Sequence, residues 1–354
     1  MERLRFRGEW RNSIMKGLAR SAAPALALLA LLAVLPLGQP AAAPGGLTAV
    51  TVGSTARISN APLFIAGEEG YFAQWGLDVR LVEIRESSQA WPALIAGQLD
   101  AYAGAINAGL MEAIMRGARL RIVADKGYIG PGDRSSAVMV RQDLIASGRF
   151  RTLRDLRGMR IGAGTRTSVG GLFLLRVLRD RALITEQDVT LQMVPLVALP
   201  DAFRARALDA ALVSEPFVTR LEVLGLAKVV IGMFDVLPRA QYAAITYGPN
   251  LLARNPGVGQ RLMNGYLRGV QQYLEGKTPR NVALIQKFTG DDEDLVRRMQ
   301  WPYVQRDGHV NVESVMQIQS WWVREGFLGK ALPAERWYDP SFARRAVRTL
   351  AGAR

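Results

Sequence analysis

One pattern of strands and helices occurs twice in this chain, and the repetition limits its possible folds more than any other feature. Apolar runs typical of strands alternate with segments of helical periodicity in the order βαβαβ. In the first copy the five segments are 49–53, 62–75, 78–84, 90–96 and 101–106. In the second copy they are 159–163, 169–181, 189–194, 198–205 and 210–213. Because a helix that links two apolar strands makes them parallel, each copy predicts an α/β unit.

The two copies also share short motifs at matching positions. The tract LDA at 99–101 recurs at 208–210, and DVRL at 78–81 recurs as DVTL at 188–191. The alternative is a chance likeness between alanine-rich segments. Ligands of such sheets bind beyond the carboxyl ends of the strands. The repeat therefore predicts an α/β fold of two doubly wound βαβ lobes that face each other across a cleft.

Loops that contain glycine and proline follow each copy and indicate where the chain crosses between the lobes. Each loop leads into a strand-like run, and we expect hinge crossings near 127–137 and 233–245. Residues 47–133 are then the first part of lobe 1, 134–240 are lobe 2, and 241–354 return to lobe 1. The last part also carries helical patterns, at 257–274, 279–288, 291–299, 312–325 and 341–350.

The first 43 residues have the order of a secretory signal peptide. Six basic residues among the first 20 precede an almost wholly apolar run at 22–38, and small residues follow at 41–43. This order predicts a leader that is cleaved after Ala42 or Ala43. An uncleaved membrane anchor is the alternative, although the apolar run is shorter than the ~20 residues that span a bilayer.

The composition of the remaining chain favours an exported protein. It has no cysteine, which excludes disulfides, thiolate metal sites, thiol nucleophiles and a lipidated cysteine anchor. Without the leader it has 39 basic and 29 acidic residues, and this net charge of +10 attracts anions. The densest arginine run, at 149–160, reads as a solvated surface, so nucleic acid is not an expected partner. We expect a free periplasmic protein.

Residues suited to catalysis are scarce. His309 is the only histidine, and it lies in the turn-like stretch RDGHVN. No HExxH motif and no GxxxxGK[ST] loop is present in the sequence. We therefore expect no enzyme activity, no catalytic residue, no metal and no cofactor.

Four segments resemble a known family, in the family's order. They are APLFIAGEEGYFAQWGLDV (61–79), ALIAGQLDAYAGA (93–105), LRDLRGMRIGAGTRTSVGGLFLLRVL (153–178) and DAALVSEPF (209–217). On these segments the chain is identified as a member of the nitrate, sulfonate and taurine type of periplasmic substrate-binding proteins, the NitT/TauT family. The resemblance covers essentially residues 47–345. One departure is Ser214, where many members carry a tryptophan or tyrosine.

The resemblance implies how such a protein works. It implies a fold like that of type II periplasmic binding proteins, in which the lobes close on a small-molecule ligand. It also implies a partner, the permease of an ABC transporter in the inner membrane, whose ATPase is a separate chain. Relatives in the family bind thiamine precursors.

Candidate ligand contacts lie where strands end and helices begin, because unpaired N–H groups at helix starts favour anions. In lobe 2 the turn GTRTSVGG (164–171) opens a helix and resembles the family's ligand-binding turn. Its candidates are Thr165, Arg166, Thr167 and Ser168. The candidates in lobe 1 are Arg57, Asn60, Arg85, Ser87, Ser88, Asn107 and Lys126, and Glu215 follows a strand of lobe 2.

These candidates also have simpler roles. Thr167 or Ser168 can be an ordinary N-cap. Glu215 can neutralise Arg57 or Arg85 in a surface ion pair. The net charge and the arginines favour a sulfonate or organic acid as ligand. A neutral pyrimidine or another heterocycle, a fold-related enzyme and a sensory role are the alternatives.

Overall fold

Two five-stranded sheets carry the fold of the described chain. The computed structural model describes residues 46–54, 58–84 and 87–352, so the predicted signal peptide lies outside the described residues. The first sheet has the order β2-β1-β3-β10-β4 and contains β1 Thr48–Ser54, β2 Leu77–Glu83, β3 Ala101–Ala105, β4 Arg121–Tyr128 and β10 Gln241–Tyr247. The second has the order β7-β6-β8-β5-β9 and contains β5 Ser136–Arg141, β6 Arg160–Ala163, β7 Thr190–Met193, β8 Ala210–Ser214 and β9 Ala227–Gly232.

The two sheets have the same topology. In the first, β1 is parallel to β2 and β3, and β10 is antiparallel to β3 and β4. In the second, β6 is parallel to β7 and β8, and β5 is antiparallel to β8 and β9. The antiparallel strand is in each case the one that arrives from the other sheet. The predicted fold of two doubly wound lobes is confirmed, and we call the sheets with their helices lobe 1 and lobe 2.

Short helices connect the strands, and longer ones form the C-terminal part. Lobe 1 has α1 Ala61–Glu68, α2 Tyr71–Gln74, α3 Ser87–Ile95 and α4 Ala108–Met115. Lobe 2 has α5 Gln142–Ala146, α6 Val169–Arg176, α7 Leu199–Arg204 and α8 Phe217–Val223. The C-terminal helices are α9 Pro256–Tyr273, α10 Pro279–Thr289, α11 Glu293–Arg298, α12 Val312–Arg324, α13 Ala334–Trp337 and α14 Ser341–Gly352.

Some helices differ from the sequence prediction. The segment predicted as one helix at 62–75 is two helices, because Gly70 adopts a φ of 70°, which favours glycine and ends the helical path. The helix predicted at 169–181 is α6 followed by a π-helical turn, Val177–Ala182. Helices α4 and α8 and strand β9 were not predicted, because periodicity does not separate helix from strand in segments of six to eight residues.

The chain crosses between the sheets twice, within the regions predicted as hinges. The first crossing, 129–135, joins β4 to β5, and the second, 233–240, joins β9 to β10. The C-terminal helices α9, α10, α11 and α14 share a buried core with the first sheet. Helices α12 and α13 belong to another core that contains residues of both lobes, such as Met111 on α4 and Phe173 on α6.

Candidate ligand-binding site

A cavity of about 480 Å³ lies between the two sheets. Residues that follow the carboxyl ends of β3, β6 and β8 line it, as expected for ligand sites in doubly wound folds. The sequence-predicted candidates that line the cavity are Ser87, Asn107, Lys126, Thr165, Thr167, Ser168 and Glu215.

Lys126 brings a positive charge into the cavity from β4. The residue is 3% exposed, and its Nζ donates a hydrogen bond to Ser59 Oγ, 3.0 Å away. Among the described residues that line the cavity, Lys126 is the only lysine or arginine. A charge removed from bulk water interacts more strongly with an opposite charge. Lys126 is therefore the one cationic side chain of the described lining, and it is placed where its charge acts strongly on an anion.

Asn107 caps helix α4 at the wall of the cavity. Its Oδ1 accepts hydrogen bonds from the backbone N–H of Leu110 at 3.0 Å and from Trp91 Nε1 at 3.1 Å. The amide oxygen therefore holds the fold, and the amide NH₂ group is the part of Asn107 that can donate to a ligand.

A serine and a tyrosine of lobe 1 form a second polar point of the lining. Ser87 Oγ lies 2.8 Å from Tyr102 Oη, and both residues line the cavity. The tyrosine ring packs on Gly104, where an added Cβ would lie 2.1 Å from Tyr102 Oη. The absence of a side chain at Gly104 therefore lets the phenol lie in its observed place.

The start of α6 forms the opposite wall, in lobe 2. Ser168 is its N-cap, since Ser168 Oγ accepts from Gly171 N at 3.1 Å and donates to the carbonyl of Thr165 at 2.7 Å. The backbone N–H groups of Val169 and Gly170 lie in the first helical turn, which has no acceptors within the helix. Both residues line the cavity, so α6 presents the positive end of its dipole there.

The two lobes touch beside the cavity. The backbone N–H of Ala108, at the start of α4, donates to the carbonyl of Thr167 at 3.2 Å. Asn107 and Ser168 also form an isolated antiparallel bridge. These contacts join the two helix starts, and we call this arrangement, in which the lobes touch beside the cavity, closed.

Glu215 is a buried carboxylate at the carboxyl end of β8. It is 5% exposed and accepts hydrogen bonds from Thr219 N at 3.0 Å, Thr219 Oγ1 at 2.7 Å and Gln300 N at 3.1 Å. Burial raises the pKa of the Glu215 carboxyl, and these donors oppose the rise. Its described partners are thus neutral donors, and the arginines considered from the sequence as its ion-pair partners, Arg57 and Arg85, lie outside the described residues.

Other candidates lie away from the cavity or outside the described residues. Arg166 lies 3.3 Å from Glu186 and 5.9 Å from the ring centre of Phe327, and it is not among the lining residues. Asn60 is fully buried at the N-cap position of α1, also outside the lining. The candidates outside the described part are Arg57, Arg85 and the side chain of Ser88.

The structure adds lining residues that were not predicted from the sequence. They are largely apolar or aromatic and include Tyr102, Met193, Leu196, Leu212, Met233 and Tyr242. Met193 is the last residue of β7 and Leu196 follows this strand, a position that the repeat itself could have indicated. Tyr242 lies on β10, which returns from the other lobe, so only the tertiary fold brings it to the cavity.

Within the described part of the chain, no group of three or more histidine, cysteine or acidic residues is placed to hold a metal ion. The same residues contain no helix that is long and apolar enough to cross a membrane. His309 is exposed in its turn, where its backbone N–H donates to Asp307 Oδ1 at 2.9 Å.

Comparison with known proteins identifies the family. The sequence model of the NMT1-like family matches residues 43–285, which is more than half of the chain. The chain belongs to the NMT1-like family. No curated protein sequence matches this NMT1-like protein significantly.

Solved structures similar to the NMT1-like protein include binding components of import systems. A ligand-binding component of an ABC-type import system from Staphylococcus aureus, solved with zinc bound, has a TM-score of 0.70 and 17% identity, covering 84% of this chain and 99% of that one. The alkanesulfonate-binding protein SsuA from Xanthomonas axonopodis pv. citri, bound to MOPS, has a TM-score of 0.66 and 20% identity, covering 83% and 100%.

A third similar structure is the periplasmic nitrate-binding protein NrtA from Synechocystis PCC 6803. Its TM-score is 0.69 at 14% identity, and the match covers 86% of this chain and 89% of that one. These likenesses establish the fold of the NMT1-like protein. The recognition of the nitrate, sulfonate and taurine type of binding protein from the sequence is confirmed.

Proposed function

We propose that this NMT1-like protein is the solute-binding component of an ABC importer. It captures a small organic anion between its lobes and delivers it to a permease in the inner membrane, whose ATPase is a separate chain. The observation that carries the proposal is the buried ammonium group of Lys126 in the same cavity as the first turn of α6. Both attract negative charge.

The size of the cavity favours an organic anion over an inorganic one. Cavities of about 300–1,000 Å³ are typical of sites for drug-sized molecules, and this one measures about 480 Å³. A nitrate ion would leave most of that volume empty or filled with water. The apolar lining, which includes Met193, Leu196 and Leu212, would pack against the organic part of a sulfonate or carboxylate. The MOPS bound to the similar Xanthomonas protein is a molecule of this kind.

We place the protein in the periplasm. The basic, apolar and small-residue order of residues 1–43 is that of an exported protein. The periplasmic nitrate-binding protein NrtA, which has a similar fold, supports the same location.

A second candidate ligand is a neutral heterocycle. The aromatic rings of Tyr102 and Tyr242 line the cavity, and such rings stack on flat heterocycles. This candidate needs no ion pair with Lys126, so the two ligand classes differ in their dependence on that residue.

A fold-related enzyme is the alternative of a different class. The desulfurization enzyme DszB has a similar structure, with a TM-score of 0.59 at 16% identity. A mutant of DszB in which serine replaces a cysteine was solved with biphenyl-2-sulfinic acid bound. The present chain has no cysteine, so a thiol cannot act in it. We therefore favour binding over catalysis.

A ligand panel tests the proposal. The purified mature protein is melted with MOPS, other alkyl and aryl sulfonates, organic acids, nitrate and a neutral aminopyrimidine. A ligand at about 100 times its Kd raises the free energy of unfolding by about 2.7 kcal/mol, and we expect this for an organic anion. Mass spectrometry of the ligand recovered after denaturation should find it unchanged. Stabilisation by the pyrimidine alone, or a chemically altered ligand, would contradict the proposal.

A further inference from the structure

The segment between α11 and α12 runs along the first crossing, and we call residues 299–308 the strap. Tyr128 N, at the end of β4, donates to the carbonyl of Tyr303 at 3.1 Å, and these two residues form an antiparallel bridge. Asp125 N donates to the carbonyl of Gly308 at 2.9 Å, and Gln305 N donates to Asp125 Oδ2 at 2.6 Å. The strap is thus paired with the edge strand that leads into the crossing.

The strap is fixed to lobe 1. Met299 and Val304 are buried in the core of the first sheet. The hydroxyl of Tyr273 on α9 donates to the carbonyl of Pro302 at 2.7 Å, and its ring stacks on Trp301 at 5.3 Å between centroids. The strap therefore moves with lobe 1.

From this fixed position, one strap residue reaches the other lobe. Gln300 N donates to Glu215 Oε1 at 3.1 Å, and Glu215 belongs to lobe 2 and lines the cavity. Gln300 Oε1 accepts from Arg134 N at 2.8 Å, in the first crossing. Gln300 is not among the described residues that line the cavity. It links lobe 1, the crossing and a wall of the cavity without lining the cavity itself.

Tyr303 holds the same crossing at a second point. Its hydroxyl donates to the carbonyl of Pro131 at 3.0 Å, and its ring lies over Gly130, where an added Cβ would be 2.4 Å from the ring. The first crossing is thus held by the strap on both sides of Pro131.

We propose that Gln300 is a positioning residue for the ligand cavity, which favours the closed arrangement of the lobes by tying Glu215 and the first crossing to lobe 1. Because Glu215 moves with lobe 2 and the strap with lobe 1, a rotation about the crossing separates the partners of this bond. An interaction present in only one of two conformations shifts their equilibrium toward that conformation. The backbone N–H of Gln300 bonds Glu215, and its side chain bonds the crossing at Arg134. Gln300 thus acts through these two partners, and it is distinct from residues that contact ligand.

A neighbouring ion pair limits the size of the effect. Arg220 on α8 lies 2.5 Å from Asp291, which precedes α11, and this pair also links lobe 2 to the C-terminal helices. Loss of the Gln300 bonds therefore loosens the closed arrangement and leaves the ion pair in place.

The test measures the distance between the lobes without any ligand, so it does not depend on the proposed ligand class. The chain has no cysteine, so Gln89→Cys on α3 and Val197→Cys after β7, both exposed, carry a unique pair of spin labels. Gln300→Met keeps the side-chain length and removes the acceptor for Arg134 N. The backbone N–H that bonds Glu215 remains, so the variant tests the side-chain bond to the crossing. Gln317→Met, which alters an exposed glutamine on α12, is the matched control.

Pulsed electron spin resonance should show a larger share of long inter-label distances in Gln300→Met than in the parent and the control. The open-to-closed ratio should change roughly two- to tenfold, as expected for loss of one hydrogen bond. Tyr303→Phe, which removes only the bond to Pro131, should shift the distribution the same way by less. Circular dichroism verifies that each variant is folded. Distributions in both strap variants that match those of the parent and of Gln317→Met would overturn the proposal.

Discussion

The two lobes place an aspartate at the same point of the same topology. Asp100 precedes β3 and Asp209 precedes β8. The N–H of Asp100 donates to the carbonyl of Thr51 on β1, and the N–H of Asp209 donates to the carbonyl of Arg160 on β6, each at 2.9 Å. In return, the carboxylates accept from Thr51 N at 2.7 Å and from Arg160 N at 3.0 Å. These bonds give a physical reason for the LDA tract that recurs in the sequence.

The remaining partners of the two aspartates differ. Asp100 accepts from the amide of Asn250 at 2.8 Å, a residue of the chain that has returned from lobe 2. Asp209 instead meets two guanidinium groups, those of Arg160 at 3.0 Å and Arg141 at 3.3 Å. The backbone pairing of the two aspartates is alike, while Asp100 is also held by a later part of the chain and Asp209 by charges of its own lobe.

A second difference appears at the helices that follow the central parallel strands, α1 after β1 and α6 after β6. In lobe 1, α1 starts Ala61-Pro62, and proline has no N–H to offer an anion. In lobe 2, α6 starts Val169-Gly170 and keeps both N–H groups beside the cavity. Lobe 1 contributes the side chain of Lys126 instead. An anion would then be bound by the backbone of lobe 2 and by a side chain of lobe 1.

The largest expected contrast between the lobes is in how their aspartates make the free energy of unfolding depend on pH. Burial raises the pKa of Asp125 in lobe 1 from 3.8 to about 7, against the hydrogen bonds from Gln305 and Gln241. Burial also opposes ionisation of Asp209 in lobe 2, but hydrogen bonds from Arg160 and the charge of Arg141 outweigh it and lower the Asp209 pKa.

Between about pH 4 and pH 7 the folded state therefore keeps a proton on Asp125 that the unfolded state has released, so rising pH lowers the free energy of unfolding. The ionised carboxylate of Asp209 contributes a constant amount to the free energy of unfolding in that range, and this contribution is lost only at lower pH. Urea unfolding at several pH values should show that the free energy of unfolding declines less over this range in Asp125→Asn than in the parent. In Asp209→Asn the free energy of unfolding should decline with pH as it does in the parent. If it declines equally in the parent and in Asp125→Asn, the pH dependence does not come from Asp125.

The two equivalent aspartates should differ in their effect on stability. Asp209→Ala removes one of two acidic partners of Arg141, whose side chain is 9% exposed, and should lower the free energy of unfolding by roughly 3 kcal/mol. Asp100→Ala loses neutral hydrogen bonds and should cost roughly 1 to 2 kcal/mol. Chemical denaturation measures both at neutral pH. A larger loss for Asp100→Ala would reverse the comparison.

Replacing the charge contributed by lobe 1 should weaken binding strongly. Lys126→Met removes a buried cation, and a hydrogen bond to a charged group contributes about 1.5 to 3 kcal/mol. Calorimetric titration with the best organic anion from the panel should therefore show about ten- to hundredfold lower affinity. Lys228→Met, at an exposed position on β9, is the control and should bind like the parent. If Lys126→Met binds the anion as tightly as the parent, Lys126 does not contact the ligand.

Copying the lobe 1 helix start into lobe 2 should have a smaller effect. Gly170→Pro removes one N–H from the first turn of α6, where proline is tolerated as it is in α1. We expect roughly tenfold lower affinity for the anion with little change in melting temperature. If Gly170→Pro binds as tightly as the parent, the backbone of α6 does not hold the ligand.

The repeated pattern was sufficient to predict the fold because each βαβαβ copy is contiguous in the chain. Positions after predicted strand ends likewise indicated Asn107, Lys126 and Glu215, all of which line the cavity. For Lys126 the predicted strand end was wrong, since β4 continues to Tyr128. Arg166 was also predicted to contact the ligand, but it pairs with Glu186 and does not line the cavity. Only the tertiary structure reveals that ion pair. Partners that are far apart in sequence were missed for the same reason. Gln300 is 166 residues from Arg134, and the periodicity of a local segment cannot predict a contact between residues so far apart.

Ser168 lies in a sequence pattern that is typical of two different roles. The sequence left open whether its hydroxyl binds ligand or caps α6. The structure uses both the donor and an acceptor site of that hydroxyl within its own turn. Backbone groups of the same turn, which no side-chain pattern reveals, remain for the ligand.

The central claim is that an anion held by both lobes closes them, and the inter-label distance tests it most directly. The parent with labels at Gln89→Cys and Val197→Cys is measured alone and with a saturating concentration of the best organic anion. We predict a shorter and narrower distance distribution with ligand, and the Lys126→Met variant should need about ten- to hundredfold more ligand for the same change. A ligand that binds tightly, as shown by calorimetry, and leaves the distribution unchanged would contradict the account.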